Sequence, residues 1–342
     1  LLRLVLSYYI TGYMVDVNCF TSWGATMARV GPAGFYPETN FCDYPPAYTY
    51  ILGLNGLICN MIPGISAGVQ RIVFRFVPCL CDLLSCLVLN RYFRIHVPSL
   101  SPLKRHSGLL ILAFHPVLVM NSAAWGQMDS VLALLILLVA IWALEGKWEL
   151  SLPCYMLAVL VKPQALMLGF LGLVTIIFSW IRGFMLMAFC LAYGILFFLK
   201  GRGKWKYAAV EASLAGVFAI WFFYCALSGA SWAWIGTAAM AFAFVIVLSL
   251  YIRKGNISFL PYLGGLLFLI LYVFGVKMHE RYIYPAFLLF ALAYGLNRDR
   301  RILTVLLGIT GTTFLNEGIV LDNSIRLGSS LGHLNQDTLV LA

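Results

Sequence analysis

The chain has 342 residues, 62% of them hydrophobic and only 11% charged. Soluble domains run at about 45–50% apolar and about 25% charged residues, so a soluble enzyme, a disordered chain, a coiled coil and a nucleic-acid-binding domain all fit poorly. The net charge of +10, from 23 Lys and Arg against 13 Asp and Glu, then reads as basic cytoplasmic loops that fix orientation.

The apolar runs are long enough to cross lipid, and the period-2 alternation of a membrane barrel is absent. The expected fold is all-α, a polytopic transmembrane helical bundle forming one membrane-embedded domain over 1–342. Most of the nine cysteines lie in apolar runs, where Cys behaves as a small hydrophobe. Cys79 and Cys81 have no His or Cys partner at zinc spacing, so no metal site is expected. Cys19 and Cys42 could pair across one loop, and spacing alone leaves that open.

In chain order, residues 1–13 read as the tail of a truncated first span. Residues 14–69 form a first external loop that mixes Asp16, Arg29, Glu38 and Asp43 with Gly31-Pro32, Pro45-Pro46 and Pro63-Gly64. Within it, Trp23, Met27 and Val30 recur at i, i+4 and i+7, the mark of an amphipathic helix. Residues 45–62 read as a span or as a helix lying in the interface. The basic loop Arg91, Arg94, Lys104 and Arg105 sits inside by the positive-inside rule, which favours the interfacial choice. Complete spans are expected near 70–90, 108–124, 127–145, 183–199, 207–228, 232–252, 257–276, 282–297 and 302–320, with 150–180 crossing an odd number of times. The total is about ten spans.

Ionisable groups in or at the edge of a membrane are expensive, so each is a functional candidate by default. Asp16 directly follows the first apolar segment, where a carboxylate can accept a proton from a hydroxyl; a solvated loop residue is the plain alternative. Asp43 and Tyr44 are held by the Pro pair that follows, and Asp43 could equally cap the next helix. Gln127 and Asp129 follow Trp125 and either shape a hydroxyl-binding edge or cap the next helix. Lys162, in Lys162-Pro163-Gln164, either snorkels or meets a lipid phosphate. The densest polar cluster between two spans is Lys277-Met-His279-Glu280-Arg281, whose Arg fork suits phosphate oxygens. Arg75 and Asp82 are too far apart along their helix to pair directly, so each is expected to find a partner elsewhere. His115-Pro116 reads as a kinked core position. No nucleotide or zinc-hydrolase motif is present.

Taken in order, Asp16-Val-Asn-Cys-Phe-Thr-Ser-Trp, Gly31-Pro-Ala-Gly-Phe-Tyr36, Phe41-Cys-Asp-Tyr-Pro-Pro46, Trp125-Gly-Gln-Met-Asp-Ser130, Val161-Lys-Pro-Gln-Ala165 and Lys277-Met-His-Glu-Arg-Tyr282 form a series. With the tail Leu321-Asp-Asn-Ser-Ile-Arg-Leu-Gly, this series resembles the bacterial relatives of the GPI-anchor second mannosyltransferase. These are GT-C-type integral membrane glycosyltransferases. The resemblance implies a GT-C-like bundle with interfacial helices in the first external loop, in a bacterial plasma membrane. It implies a polyprenyl-phosphate sugar donor, mannose first, with inverting transfer to a glycan or lipid acceptor at the non-cytoplasmic face. No cofactor or metal is implied. On this resemblance Asp16 is the general base, and Arg281, with Lys277 or Lys162, binds the donor phosphate. Asp43, Tyr44, Trp125, Gln127, Asp129, Gln164, His279 and Glu280 complete the substrate site. One stretch departs from the pattern: Tyr207-Ala-Ala-Val-Glu-Ala212 has Glu211 where the family pattern expects Asn. The rival readings are a transporter or flippase for a lipid-linked or small polar substrate, which needs charges near the midplane of several spans, and a structural membrane subunit.

Overall fold

The computed structural model describes residues 1–169, 239–240, 242–247, 250–251, 257–275, 279 and 281–327. Among the described residues there are helices and turns but no strand. The expected spans at 183–199 and 207–228, most of 232–252, and Glu211, Lys277 and Glu280 lie outside the described residues.

Helix α4 (Ala67–His96) has 30 residues, a length of about 45 Å against a hydrocarbon core of about 30 Å. Ser66 starts it, accepting a hydrogen bond from the Val69 N–H at 3.4 Å. Arg94 and His96 end it, where the carbonyl end of a helix favours cations. Among the described residues three helices are long and apolar enough to cross a membrane: α4, the segment Ile257–Phe274 and the segment Arg300–Ile325. The second contains α9 (Leu260–Phe274) and the third is most of α11 (Arg300–Leu327). A fourth crossing arises if α5 (Pro102–Ala113) and the pair α6 (Pro116–Val119) and π-helical turn (Met120–Trp125) count as one span bent by 43°. The bend falls at His115-Pro116, because proline brings no N–H to continue the ladder. His115 is buried there, and its Nε2 lies 2.9 Å from Thr310 Oγ1.

The helices α7 (Asp129–Leu144), α8 (Trp148–Val161) and α10 (Tyr284–Asn297) are apolar but run for 16, 14 and 14 residues. At about 1.5 Å per residue they reach only about 21–24 Å. The described part thus gives three or four full crossings, with shorter helices at other predicted positions. Within 150–180, α8 stops at Val161 and a tight 3₁₀ turn covers Pro163–Ala165; residues 170–180, and with them the number of crossings, lie outside the described residues. Helix α7 is buried on most of its circumference and sits between α4, α8 and α10.

The first loop folds as two packed helices, α2 (Met14–Glu38) and α3 (Pro46–Asn60). Trp23 and Met27 are buried as the amphipathic spacing predicts, and Val30 is half-buried. Gly31, at φ 72°, breaks α2 just before Pro32. At 15 residues, or about 22 Å, α3 is too short to cross, which fits the interfacial choice for 45–62. Cys19 and Cys42 are both free thiols.

Two buried arginines tie α1 (Leu2–Tyr9) into this bundle. Arg3 pairs with Asp82 at 2.7 Å and donates to Ser122 Oγ at 2.7 Å and to the Ala113 carbonyl at 2.9 Å. Asp82 also accepts from Ser122 at 2.6 Å and from the Tyr284 hydroxyl at 2.5 Å. Arg75 donates to the carbonyls of Ile10, Thr11 and Ala123 at 2.8, 2.8 and 3.0 Å, and to that of Ser7 at 3.3 Å. Both residues of α4 therefore bond to groups on other segments, as their spacing required.

Candidate active site

Asp16 lies in the first turn of α2, three residues after the linker that Arg75 grips by the Ile10 and Thr11 carbonyls. The π-helical turn ends at Gly126, whose φ of 90° reverses the chain. A Cβ there would sit 2.7 Å from Arg75 Nε, so the turn and the guanidinium fit only because the residue is glycine. The reversal presents both Trp125 and Gln127 to Asp16. Trp125 Nε1 donates to Asp16 Oδ2 at 2.8 Å, and Gln127 Nε2 donates to the same oxygen. Arg281 NH1 is the third donor, at 3.1 Å. All three bonds converge on Oδ2. Among the described residues Oδ1 takes none, and the side chain keeps 18% of its surface exposed.

A second carboxylate stands beside the first. Asp129 is fully buried at the start of α7, and its Oδ1 meets Lys162 Nζ at 2.5 Å. Its Oδ2 lies 4.0 Å from Arg281 Nε and accepts from Asn121 Nδ2 at 3.4 Å. Arg281 thus spans both carboxylates, and its guanidinium carbon lies 5.7 Å from the centre of the Trp125 ring. Lys162 Nζ is 4.7 Å from the ring centre of Tyr282 and 6.0 Å from that of Tyr44. Asp16 and Asp129 thus face Arg281 and Lys162, and such pairing is how charges are retained in a buried place. Burial pushes the hydroxyls of Tyr44 and Tyr282 above the usual phenol range, so both remain neutral donors. Burial, helped by Asp16 and Asp43, likewise raises the Cys19 thiol.

Asp16, Tyr44, Trp125, Gln127, Asp129, Lys162 and Arg281 were separate fragments in the sequence, and the structure brings them into one cluster. Other predicted members stand apart from it. Asp43 is exposed, and Pro45, not Asp43, precedes α3 with no side-chain cap, so the capping alternative is set aside. Asp129 does not cap α7 either; it is spent on Lys162 and Asn121. Lys162 does not snorkel, because its side chain is 7% exposed and bonded to Asp129. His279 is exposed, with its ring centre 5.3 Å from that of Tyr282. Gln164 follows Pro163 in the 3₁₀ turn, and both polar atoms of its amide are buried without a partner.

Sequence reasoning missed Asn121 and Glu317. Both are fully buried, and Asn121 Nδ2 lies between Asp129 Oδ2 and Glu317 Oε1, 3.5 Å from the latter. The available signal was a carboxylate alone inside the apolar run 302–320.

Among the described residues, two buried acceptors in the cluster, Gln127 Oε1 and Asn121 Oδ1, have no donor. The Gln127 amide cannot be reversed to remedy this, because its nitrogen faces the Asp16 carboxylate. An unmet buried acceptor carries a desolvation cost of about 1–3 kcal/mol, which a hydroxyl from a ligand would relieve. The cluster can therefore take a proton at Asp16 Oδ1, receive hydroxyl donors and set two cations against an anion. Among the described residues no group of three His, Cys, Asp or Glu side chains is placed to hold a metal. Neither a known family model nor a curated protein matches the chain.

Proposed function

We propose that this protein is a GT-C-like membrane glycosyltransferase that moves a sugar, mannose first, from a polyprenyl-phosphate donor to an acceptor hydroxyl. The site would face the non-cytoplasmic side of a bacterial plasma membrane. The observation that carries the reading is the convergence of Asp16, Asp129, Lys162 and Arg281, with Asp16 Oδ1 left open beside two buried cations. In the reaction, Asp16 Oδ1 takes the proton of the acceptor hydroxyl. The acceptor oxygen bonds to the anomeric carbon as the bond from that carbon to the phosphate oxygen breaks. The electron pair leaves with polyprenyl phosphate, and Arg281 and Lys162 stabilise the charge that develops there. Attack opposite the leaving group inverts the anomeric centre. Gln127 and Asn121 read hydroxyls through their open acceptor atoms, while Trp125 and Tyr44 supply ring surface against the sugar.

The transporter reading draws on Arg3, Arg75 and Asp82, which are buried charges on or against a spanning helix. Their bonds to carbonyls, to hydroxyls and to one another are the pattern of a static brace, so transfer is favoured over passage.

The test is transfer of labelled mannose from polyprenyl-phosphate mannose in membranes carrying the full chain. Asp16→Asn should lower turnover by about 10²-fold or more, the low end for loss of a general base, with donor binding retained. Arg281→Ala should weaken donor binding. Full turnover by Asp16→Asn would remove the base, and label that never moves from mannose, glucose or arabinose donors would bring the transporter reading forward.

A further inference from the structure

A second polar place lies on the other side of α2. Met14, Asn18 and Thr21 recur at helical spacing on a face turned away from Asp16. With the first turns of α4 they wall a cleft of about 220 Å³. Two cations line it, Arg71 and Arg75, and no carboxylate does among the described residues. The Arg75 guanidinium is committed to backbone carbonyls. Arg71 is not so committed. Among the described residues it donates one hydrogen bond, from NH2 to the Tyr8 carbonyl at 2.5 Å, and its Nε is buried without a partner. Asn18, Thr21 and Gln70 add neutral polar groups, while Phe74 and Met14 supply apolar wall.

The height of the cleft follows from helix length. Of the 45 Å or so spanned by α4, the basic end Arg91–His96 accounts for about 9 Å beyond the hydrocarbon. A core of about 30 Å leaves roughly one turn at the opposite end, and that turn carries Ala67, Gln70 and Arg71. The cleft is therefore at the level of lipid head groups. An arginine that gives the protein one hydrogen bond and lines a cleft with no carboxylate among the described residues selects an anion that offers several oxygens.

We propose that this cleft binds a phosphate group, that of a lipid head group at the membrane surface, with Arg71 as its main ligand. Asn18, Thr21 and Gln70 are placed to meet its remaining oxygens or a neighbouring hydroxyl. The Arg281 and Lys162 cations assigned to the sugar donor do not line this cleft, although Gly126 of the turn that meets Asp16 does, and the proposal stands without the transfer reading.

The test uses the full chain in detergent with no sugar donor present. Native mass spectrometry compares retention of phosphatidylglycerol with that of phosphatidylcholine, and thermal stabilisation by glycerol phosphate forms a soluble arm. The expected result is a preference of about tenfold or more for phosphatidylglycerol, lost by about the same factor in Arg71→Gln, in line with charge-assisted bonds. Arg71→Lys should keep part of it, because a point charge replaces the fork. Stabilisation by glycerol phosphate that depends on Arg71 shows that phosphate alone suffices, and retention of the lipid without it assigns the source to the bilayer; both support the site. Should Arg71→Gln fail to fold, Thr21→Leu fills the cleft with Arg71 intact and should lose the lipid to a similar degree. The proposal falls if phosphatidylglycerol is retained equally by the wild type and the folded variants, or if the wild type shows neither the lipid preference nor stabilisation by glycerol phosphate.

Discussion

Replacing Arg75 by Met tests whether one buried side chain sets the position of Asp16. Arg75 joins three segments: the end of α1 through Ser7, the linker through Ile10 and Thr11, and the π-helical turn through Ala123. Met keeps most of the volume and none of the donors. Three of the four bonds lie between 2.8 and 3.0 Å, and hydrogen bonds to a charged group contribute about 1.5–3 kcal/mol each. Thr11 is exposed and Ile10 half-buried, so water can replace part of their loss. Ala123 is fully buried, and its carbonyl would keep only the 3.2 Å bond from the Ser7 hydroxyl. The net cost works out at about 3–5 kcal/mol, a large share of the 5–15 kcal/mol that holds a typical protein together. The catalytic effect should be of similar weight. Asp16 follows the gripped linker, and its donors Trp125 and Gln127 follow the gripped turn, so both halves of the site lose their common anchor. A displacement of about 1 Å costs on the order of 10²-fold in rate. Reversible unfolding in mixed micelles measures the first effect and mannose transfer the second. Arg75→Lys should recover part of both. Unfolding free energy within about 1 kcal/mol of the wild type, together with unchanged transfer, would refute the account.

Three other perturbations follow from the same geometry. Lys162→Met leaves Asp129 buried without its 2.5 Å partner; the loss should be about 3–5 kcal/mol, and Lys162→Met with Asp129→Asn should be less damaging than Lys162→Met alone when their melting curves are compared. Gly56→Ala places a Cβ 2.6 Å from the Gly24 carbonyl carbon and against its oxygen, so α2 and α3 must separate at a cost of about 1–3 kcal/mol, read as a lower melting point and as faster proteolysis of the first loop. Glu145 is held below its ordinary 4.5, first by the hydrogen bond from Lys147 and, against some burial, also by His96. A depressed carboxylate stabilises the fold above its unfolded pKa, and that contribution is lost as pH falls through the folded value. Glu145→Gln should therefore lower stability by under about 1 kcal/mol at neutral pH, because the pair is partly exposed, and by nothing once the carboxylate is protonated in both states; a gap that persists in acid would show that charge is not its origin.

The site was legible in the sequence because charge is rare in this chain and conspicuous where it falls. Lys162 interrupts an apolar run, Asp16 follows one and Arg281 closes a polar cluster between two others, and desolvation makes such residues expensive unless something holds them. What the sequence does not carry is the pairing. Asp16 and Arg281 are separated by 265 positions, and no local period links them. The capping alternatives failed for different reasons: Pro45, not Asp43, precedes α3, whereas Asp129 is held by Lys162 from just past the end of α8. Arg3 was hidden differently: it stands near the start of an apolar segment with no local partner in the sequence, yet it reaches Asp82 across the bundle.

Helix ends were also hard to place, because hydropathy records how apolar a run is and not where its backbone turns. Residues 108–124 read as one span, and the structure bends them at His115-Pro116 and closes them with a π-helical turn. The proline was visible in the sequence; the extra residue per turn that defines a π-helix was not. Yet that turn is what aims Trp125 and Gln127 at one carboxylate oxygen. A regular α-helix through residues 120–125 would rotate each following side chain and send the two donors to different faces. The irregular backbone is thus found beside Asp16, next to an arginine that satisfies its Ala123 carbonyl, and the position of Asp16 depends on both.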